Sequence, residues 1–188
     1  MRIAIDVSAQ DADIEKFGKL DGVLYTHEHA DHFDADLAKR FLDAGVQIYA
    51  NASTAKLING KSTELINAQE LKIKSMNIRA VELPHCLMAD GSAGPQNTSL
   101  LIGGRLFNPG DGKELDGLSV EALALPITGP DISIKDAFSF VKQVGARMAI
   151  PVHYDFIGTK PEVVASFIER YNLDLDLRIL ALGEATEI

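Results

Sequence analysis

At 188 residues with 46% hydrophobic side chains, the chain is long enough for one domain, 1–188, with a sizeable buried core. Its net charge of −9 argues against nucleic acid and anionic membrane surfaces as partners, because both need clustered Lys and Arg. Small phosphate esters stay in play, since bound cations would reverse the charge locally. The single Cys86 rules out an internal disulfide. No apolar run approaches the roughly 20 residues of a membrane span. Asp6 interrupts the first apolar run, so the N-terminus lacks a signal-peptide core, and the cytoplasm is the default expectation.

In chain order, residues 2–7 (RIAIDV) read as a β-branched strand carrying Asp6 near its end. Residues 10–20 are polar and turn-like. Residues 22–25 (GVLY) form a short buried strand that runs into 26–32, the string THEHADH. Asp34 can cap a helix with Leu37, Ala38, Phe41 and Leu42 on its apolar face and Gly45 at its close. Residues 46–50 form a strand and 53–59 a short helix stopped by Gly60. Residues 62–83 alternate in two or three β segments. Residues 84–96 form a loop with Asp90-Gly91 and Gly94-Pro95 turn signals.

Residues 98–102 and 105–107, joined by Gly103-Gly104, form a β-hairpin followed by the tight loop NPGDG at 108–112. Another strand spans 120–125. Ser133 with Asp136 opens a helix whose stripe is Ile134, Ala137, Phe138, Val141 and Val144, ended by Gly145. The strand 148–152 delivers His153. Thr159, Pro161 and Glu162 start a last helix with Val163, Val164, Phe167 and Ile168 inward. The strand 177–182 closes the chain. A loop at the carboxyl end of a strand is where open α/β sheets place ligands.

The stretch THEHADH has metal-ligand chemistry. A divalent ion such as zinc takes imidazole nitrogens and carboxylate oxygens at about 2.0–2.2 Å. In an extended segment the side chains of His27 and His29, two residues apart, point the same way. Asp31 and His32 are adjacent, so a turn must bring them together. Four donors within six residues suit two neighbouring ions better than one. The remaining histidines, His85 and His153, each follow a strand, as does the carboxylate Asp111. Every histidine of the chain therefore stands in the strand-end series.

This series resembles the metallo-β-lactamase superfamily: a strand-ending Asp6, then H-x-H-x-D-H at His27, His29, Asp31 and His32, a lone His85, Asp111 after a Gly, and His153. The resemblance covers nearly the whole chain in order. It implies an α/β fold, an αββα four-layer sandwich with a shortened N-terminal sheet. It further implies that His27, His29 and His85 hold one ion and that Asp31, His32 and His153 hold a second. Asp111 would bridge both, and Asp6 would orient the loop. Asp111 is not the Cys of the main antibiotic-hydrolysing class, and His29 is not the Glu of the di-iron oxygen-reducing branch. The strings QNTSLLIGGRLFNPGD and MAIPVHYD are most similar to small bacterial hydrolases resembling the ascorbate-6-phosphate lactonases.

The function so implied is hydrolysis of a small ester, lactone or phosphodiester by a hydroxide bridging two divalent ions. Zinc comes first, and manganese, iron and nickel suit the same donors. Asp31 and Asp111 would orient the hydroxide, and Tyr154 and Asp155 flank His153 as candidates for proton delivery. The alternatives are a mononuclear iron oxidoreductase resembling the persulfide dioxygenases and a non-catalytic metal-binding module. Cys86 reads as a buried inert thiol, and Arg105 and Lys160 as surface charge. The expected partner is a small molecule. The family usually has further strands before the Asp6 strand, so the expectation here is a pared-down first sheet, an incomplete chain or a partner covering the gap, and an uncovered edge favours a homo-oligomer.

Overall fold

The computed structural model describes residues 1–8, 18–154 and 159–188. The turn-like reading of 10–20 therefore lies largely outside the described residues, as does Asp155.

Two sheets carry the fold. The smaller runs β1 (Ile3–Ile5), β2 (Gly22–Tyr25), β3 (Ile48–Ala50) and β4 (Thr63–Glu64), all parallel, in that spatial order. The larger has the order β11-β10-β9-β8-β7-β6-β5, from β5 (Glu70–Ile73), β6 (Met76–Glu82), β7 (Thr98–Ile102), β8 (Leu106–Asn108), β9 (Ala122–Pro126), β10 (Met148–Val152) and β11 (Asp176–Leu177). Strands β5 to β8 pair antiparallel, and β8 to β11 pair parallel. Consequently β6, β8, β9 and β10 all end on one edge of the sheet.

Side-chain alternation builds the layers. In β2, all of whose residues are buried, Leu24 faces the other sheet and packs with Ile73, Ile78, Ala80 and Leu100. Val23 and Tyr25 face the opposite way, onto Leu37, Ala38 and Phe41 of helix α1 (Ala35–Asp43). The larger sheet repeats the arrangement. Phe107, Leu123, Leu125 and Ala149 bury against Ala137, Phe140 and Val141 of helix α3 (Ile134–Gln143) and Val164 of helix α4 (Glu162–Tyr171). Helix, sheet, sheet, helix is the αββα order expected. A short helix α2 (Ala52–Leu57) follows β3.

Local chemistry sets the helix starts. Asp34 accepts from Leu37 N at 2.7 Å, and Ser133 with Asp136 forms a reciprocal capping box. The start of α4 differs from expectation. Pro161 is its N-cap with no side-chain bond, and Thr159 instead donates to Thr128 Oγ1 at 3.1 Å. Val163 faces solvent, whereas Val164 is buried and Ile168 packs half-buried against the same core. The last strand is also shorter than 177–182: only Asp176 and Leu177 pair, with Met148 and Ala149 of β10. Leu182 is fully exposed, so nothing holds the segment as a strand. Among the described residues, β1 is a three-residue edge strand paired only with β2.

Candidate metal centre

The site lies at the strand ends where the two sheets meet. β2 leads into the THEHADH loop, β6 into His85, β8 into Asp111 and β10 into His153. Within the loop, His27 and His29 converge, with His27 Nε2 3.2 Å from His29 Nδ1. Glu28 between them points the other way and accepts from Ser53 Oγ at 2.7 Å. The chain then turns, with His32 N and Phe33 N donating to His29 O at 2.9 and 2.8 Å. That turn swings Asp31 and His32 toward the same centre.

The structure thus brings all seven strand-end donors together in two groups. His27, His29, His85 and Asp111 form one; Asp31, His32 and His153 form the other. Within each group the donor atoms lie within 4.8 Å of one another. Asp111 faces both. Its Oδ2 is 3.2 Å from His85 Nε2 and 3.2 Å from His153 Nε2, and its Oδ1 is 3.2 Å from His32 Nε2. Asp31 Oδ2 lies 3.4 Å from His153 Nε2 and 3.6 Å from His32 Nε2. The floor is dry: His27, His32, His85 and Asp111 are buried, whereas Asp31 is exposed.

Several residues hold this arrangement. Asp6, at a left-handed φ of 53°, accepts from Thr26 N at 2.7 Å and Thr26 Oγ1 at 2.8 Å, and meets His32 Nδ1 at 3.0 Å. This leaves His32 Nε2 free to face Asp111, the role expected of Asp6. His153 is also left-handed, at φ 56°, and its Nδ1 donates to Thr128 O at 2.5 Å. Thr128 was not among the residues the sequence singled out, and Thr26 entered only as the first residue of the THEHADH string. Their positions carry no composition signal, because each acts through a backbone group or a buried hydroxyl.

Electrostatically the cluster is tightly coupled. Burial disfavours protonated His32, His85 and His153, yet the Asp111 carboxylate, with Asp6, Cys86 O and Asp31 respectively, outweighs it and draws each up to about 10. Asp111 is held far below the carboxylate range, because those three imidazoles outweigh its burial. Asp31 is lowered to about 2, chiefly by His153. His27, buried and surrounded by other imidazoles, is pushed down to about 2 and stays neutral.

The donor set fits divalent ions. His85 Nε2 and Asp111 Oδ1 are buried, and their ion-pair contacts lack hydrogen-bond alignment, which leaves both without a hydrogen-bond partner. Such orphaned atoms cost about 1–3 kcal/mol each, and a coordinated cation would satisfy both. Mixed imidazole and carboxylate donors suit zinc and its first-row neighbours.

Of the other residues singled out, Tyr154 is half-buried against the cluster under α3 and α4. Cys86 is buried with its Sγ 3.6 Å from His85 Nδ1. Arg105 pairs with Glu121 at 2.7 Å on the surface. Among the described residues no helix is long and apolar enough to cross a membrane.

Two facing sheets flanked by helices, with a His/Asp cluster at their shared edge, define a metallo-hydrolase of the metallo-β-lactamase type. Residues 6–154 match the family model described as "Beta-lactamase superfamily domain", and the chain belongs to that family. A Mycobacterium tuberculosis protein is 27% identical over 159 residues, spanning 81% of this chain and 75% of that one. A UPF0173 metal-dependent hydrolase of Thermoplasma acidophilum is 24% identical over 160 residues, spanning 77% and 71%. The crystal structure of a candidate metal-dependent hydrolase from Parabacteroides distasonis superimposes with a TM-score of 0.75 at 25% identity, covering 94% of this chain and 83% of that one. The protein is a metal-dependent hydrolase of the metallo-β-lactamase superfamily.

Proposed function

We propose that the enzyme is dinuclear and cleaves a small ester, lactone or phosphodiester. His27, His29 and His85 would hold the first ion and Asp31, His32 and His153 the second, with Asp111 between them. The observation that carries this reading is the position of Asp111, buried and within 3.2 Å of His32, His85 and His153 at once. A single ion would leave one of the two donor groups without a function. When bound, two cations about 3.5–4 Å apart lower the pKa of a shared water toward neutrality and polarise the oxygen that gains charge. Zinc is the first choice of metal.

The chain's own residues do the rest. Asp111 fixes the spacing of the two donor groups from the dry side. Asp31, exposed at the mouth, accepts a hydrogen bond from the attacking water and turns its lone pair toward the substrate. Tyr154, next in the chain to His153, and Asp155 are the proposed proton donors to the leaving group. The substrate is a small molecule rather than nucleic acid or a membrane, consistent with the net charge of −9. Strand β1, paired only with β2 among the described residues, is the edge proposed to meet a second copy of the chain.

The test is turnover of ester, lactone and phosphodiester panels by metal-loaded wild type and Asp111→Ala. Metal-dependent hydrolysis of one class, lost in the variant, is expected. Full loading without turnover on any panel would overturn these three substrate classes. Activity that survives loss of the Asp31, His32 and His153 ion would favour a mononuclear enzyme.

A further inference from the structure

Two buried asparagines, Asn51 and Asn97, stand behind the first donor group and bond its backbone, not its donor atoms. We propose that they are positioning residues, a polar brace across the seam between the sheets that sets the geometry of the first ion's ligands and reaches the second's only through the shared Asp111. The inference rests on the two-ion reading above.

Asn97 is 2% exposed. Its Nδ2 donates to Leu83 O at 3.0 Å and to Pro109 O at 2.9 Å, and its Oδ1 accepts from Asp111 N at 3.3 Å. Leu83 is two residues ahead of His85, and Pro109 is two ahead of Asp111. One amide therefore ties both ligand-bearing loops. Two carbonyl acceptors on one side and an N–H on the other allow only one orientation of the amide. Asn51 is fully buried and does the same one step away. Its Nδ2 donates to Thr26 O at 2.9 Å, next to His27, and to Gln96 O at 2.8 Å, next to Asn97. Its Oδ1 accepts from Thr54 N at 3.0 Å, which joins it to α2, and Ser53 Oγ, whose proton goes to Glu28, lies 2.9 Å away. The segments after β2, before His85 and around Asp111 thus hang on two consecutive links, one starting from the smaller sheet and one from the larger.

The packing around Asn97 leaves it no slack. Gly110 has φ +57°, and a Cβ there would sit 2.2 Å from Asn97 Oδ1 and 2.9 Å from Thr26 Cβ. A Cβ on Gly94 would sit 2.3 Å from His85 Nδ1, and one on Gly112 would sit 2.2 Å from Leu83 Cδ2. Three glycines therefore let the loops close on the brace and on His85. The second group is held by other means: His32 by Asp6 and His153 by Thr128 O. A buried amide whose hydrogen bonds are all made rigidifies its surroundings. Partners that fix metal ligands from behind typically change affinity by about 10–100-fold when removed.

The experiment measures the affinity of each of the two ions by chelator competition, in wild type and in Asn97→Ala. His85→Ala and His153→Ala mark which ion is which. The expected result is that Asn97→Ala weakens the first ion by about 10–100-fold, in the pattern of His85→Ala, and weakens the second less, through Asp111 alone. Asn97→Ser keeps one donor and serves if the alanine variant does not fold; its loss should be smaller with the same selectivity. Gly110→Ala, which pushes on the amide, should move the same ion. Wild-type affinity for both ions in folded Asn97→Ala, or equal weakening of both, overturns the brace. A wild type that takes up no ion overturns the two-ion reading itself, and the inference with it.

Discussion

Removing the Asp6 side chain tests how the metal loop is held. In Asp6→Ala three bonds disappear: those from Thr26 N and Thr26 Oγ1, and the contact with His32 Nδ1. Thr26 is fully buried, so its N–H is left without an acceptor. A stranded buried donor costs about 1–3 kcal/mol, and the imidazole nitrogen adds a second such loss. The Asp6 side chain is 14% exposed, so water can refill the space and keep the total near the low end, about 2–3 kcal/mol. Freed from Asp6, His32 also loses the bond that presents Nε2 to the ion, and the second ion should weaken about 10–100-fold. Urea unfolding of the metal-free protein reads the first number, and metal titration reads the second. An unchanged unfolding midpoint together with wild-type affinity for both ions would refute the reasoning.

Four further outcomes are expected. Asp111→Ala should lose both ions together, seen by elemental analysis, because Asp111 lies within 3.2 Å of donors in both groups; loss of only one would remove its bridging role. The metal-free protein should be most stable just below pH 6.5. His32, His85 and His153 are raised from 6.5 to about 10, so their contribution is complete below 6.5 and disappears as pH rises through about 10. His27 and Asp31 are both lowered to about 2, so their contribution is lost as pH falls toward that value. Thermal unfolding across pH with chelator present checks this, and a flat profile between pH 6.5 and 10 would count against it. Phe140→Ala, which empties a fully buried site facing Phe107 edge-on at 6.3 Å, should cost about 3–5 kcal/mol in denaturant unfolding. Ser133→Ala should cost about 1 kcal/mol by breaking the capping box, in the same assay.

The clustering of the candidate ligands was readable because each is a chemically unusual residue in a loop that follows a strand. A histidine or aspartate in a loop after a short apolar run is visible in one dimension, and five histidines and two aspartates in order mark the site. Strands β2 and β10 were bounded correctly for the same reason: GVLY and MAIPV are short apolar runs with clear ends. The brace was not readable. Asn51 looks like an ordinary helix cap and Asn97 like the polar end of a loop. Their importance comes from carbonyls 12 to 45 residues away. The end of the chain was misjudged because hydrophobic alternation at Ile179 and Leu182 has no neighbouring strand or layer to bury it. Thr159 had the spacing of a cap, but its hydroxyl is spent on Thr128, which in turn holds His153. In that case the site overrode the local helix signal.

The measurement closest to the central claim is the metal-to-protein ratio of purified wild type beside His29→Ala. His29 serves only the first group, with His27, His85 and Asp111. The account predicts a ratio near two for wild type and near one for the variant. A wild-type ratio near zero after equilibration with zinc, manganese, iron and nickel would contradict it.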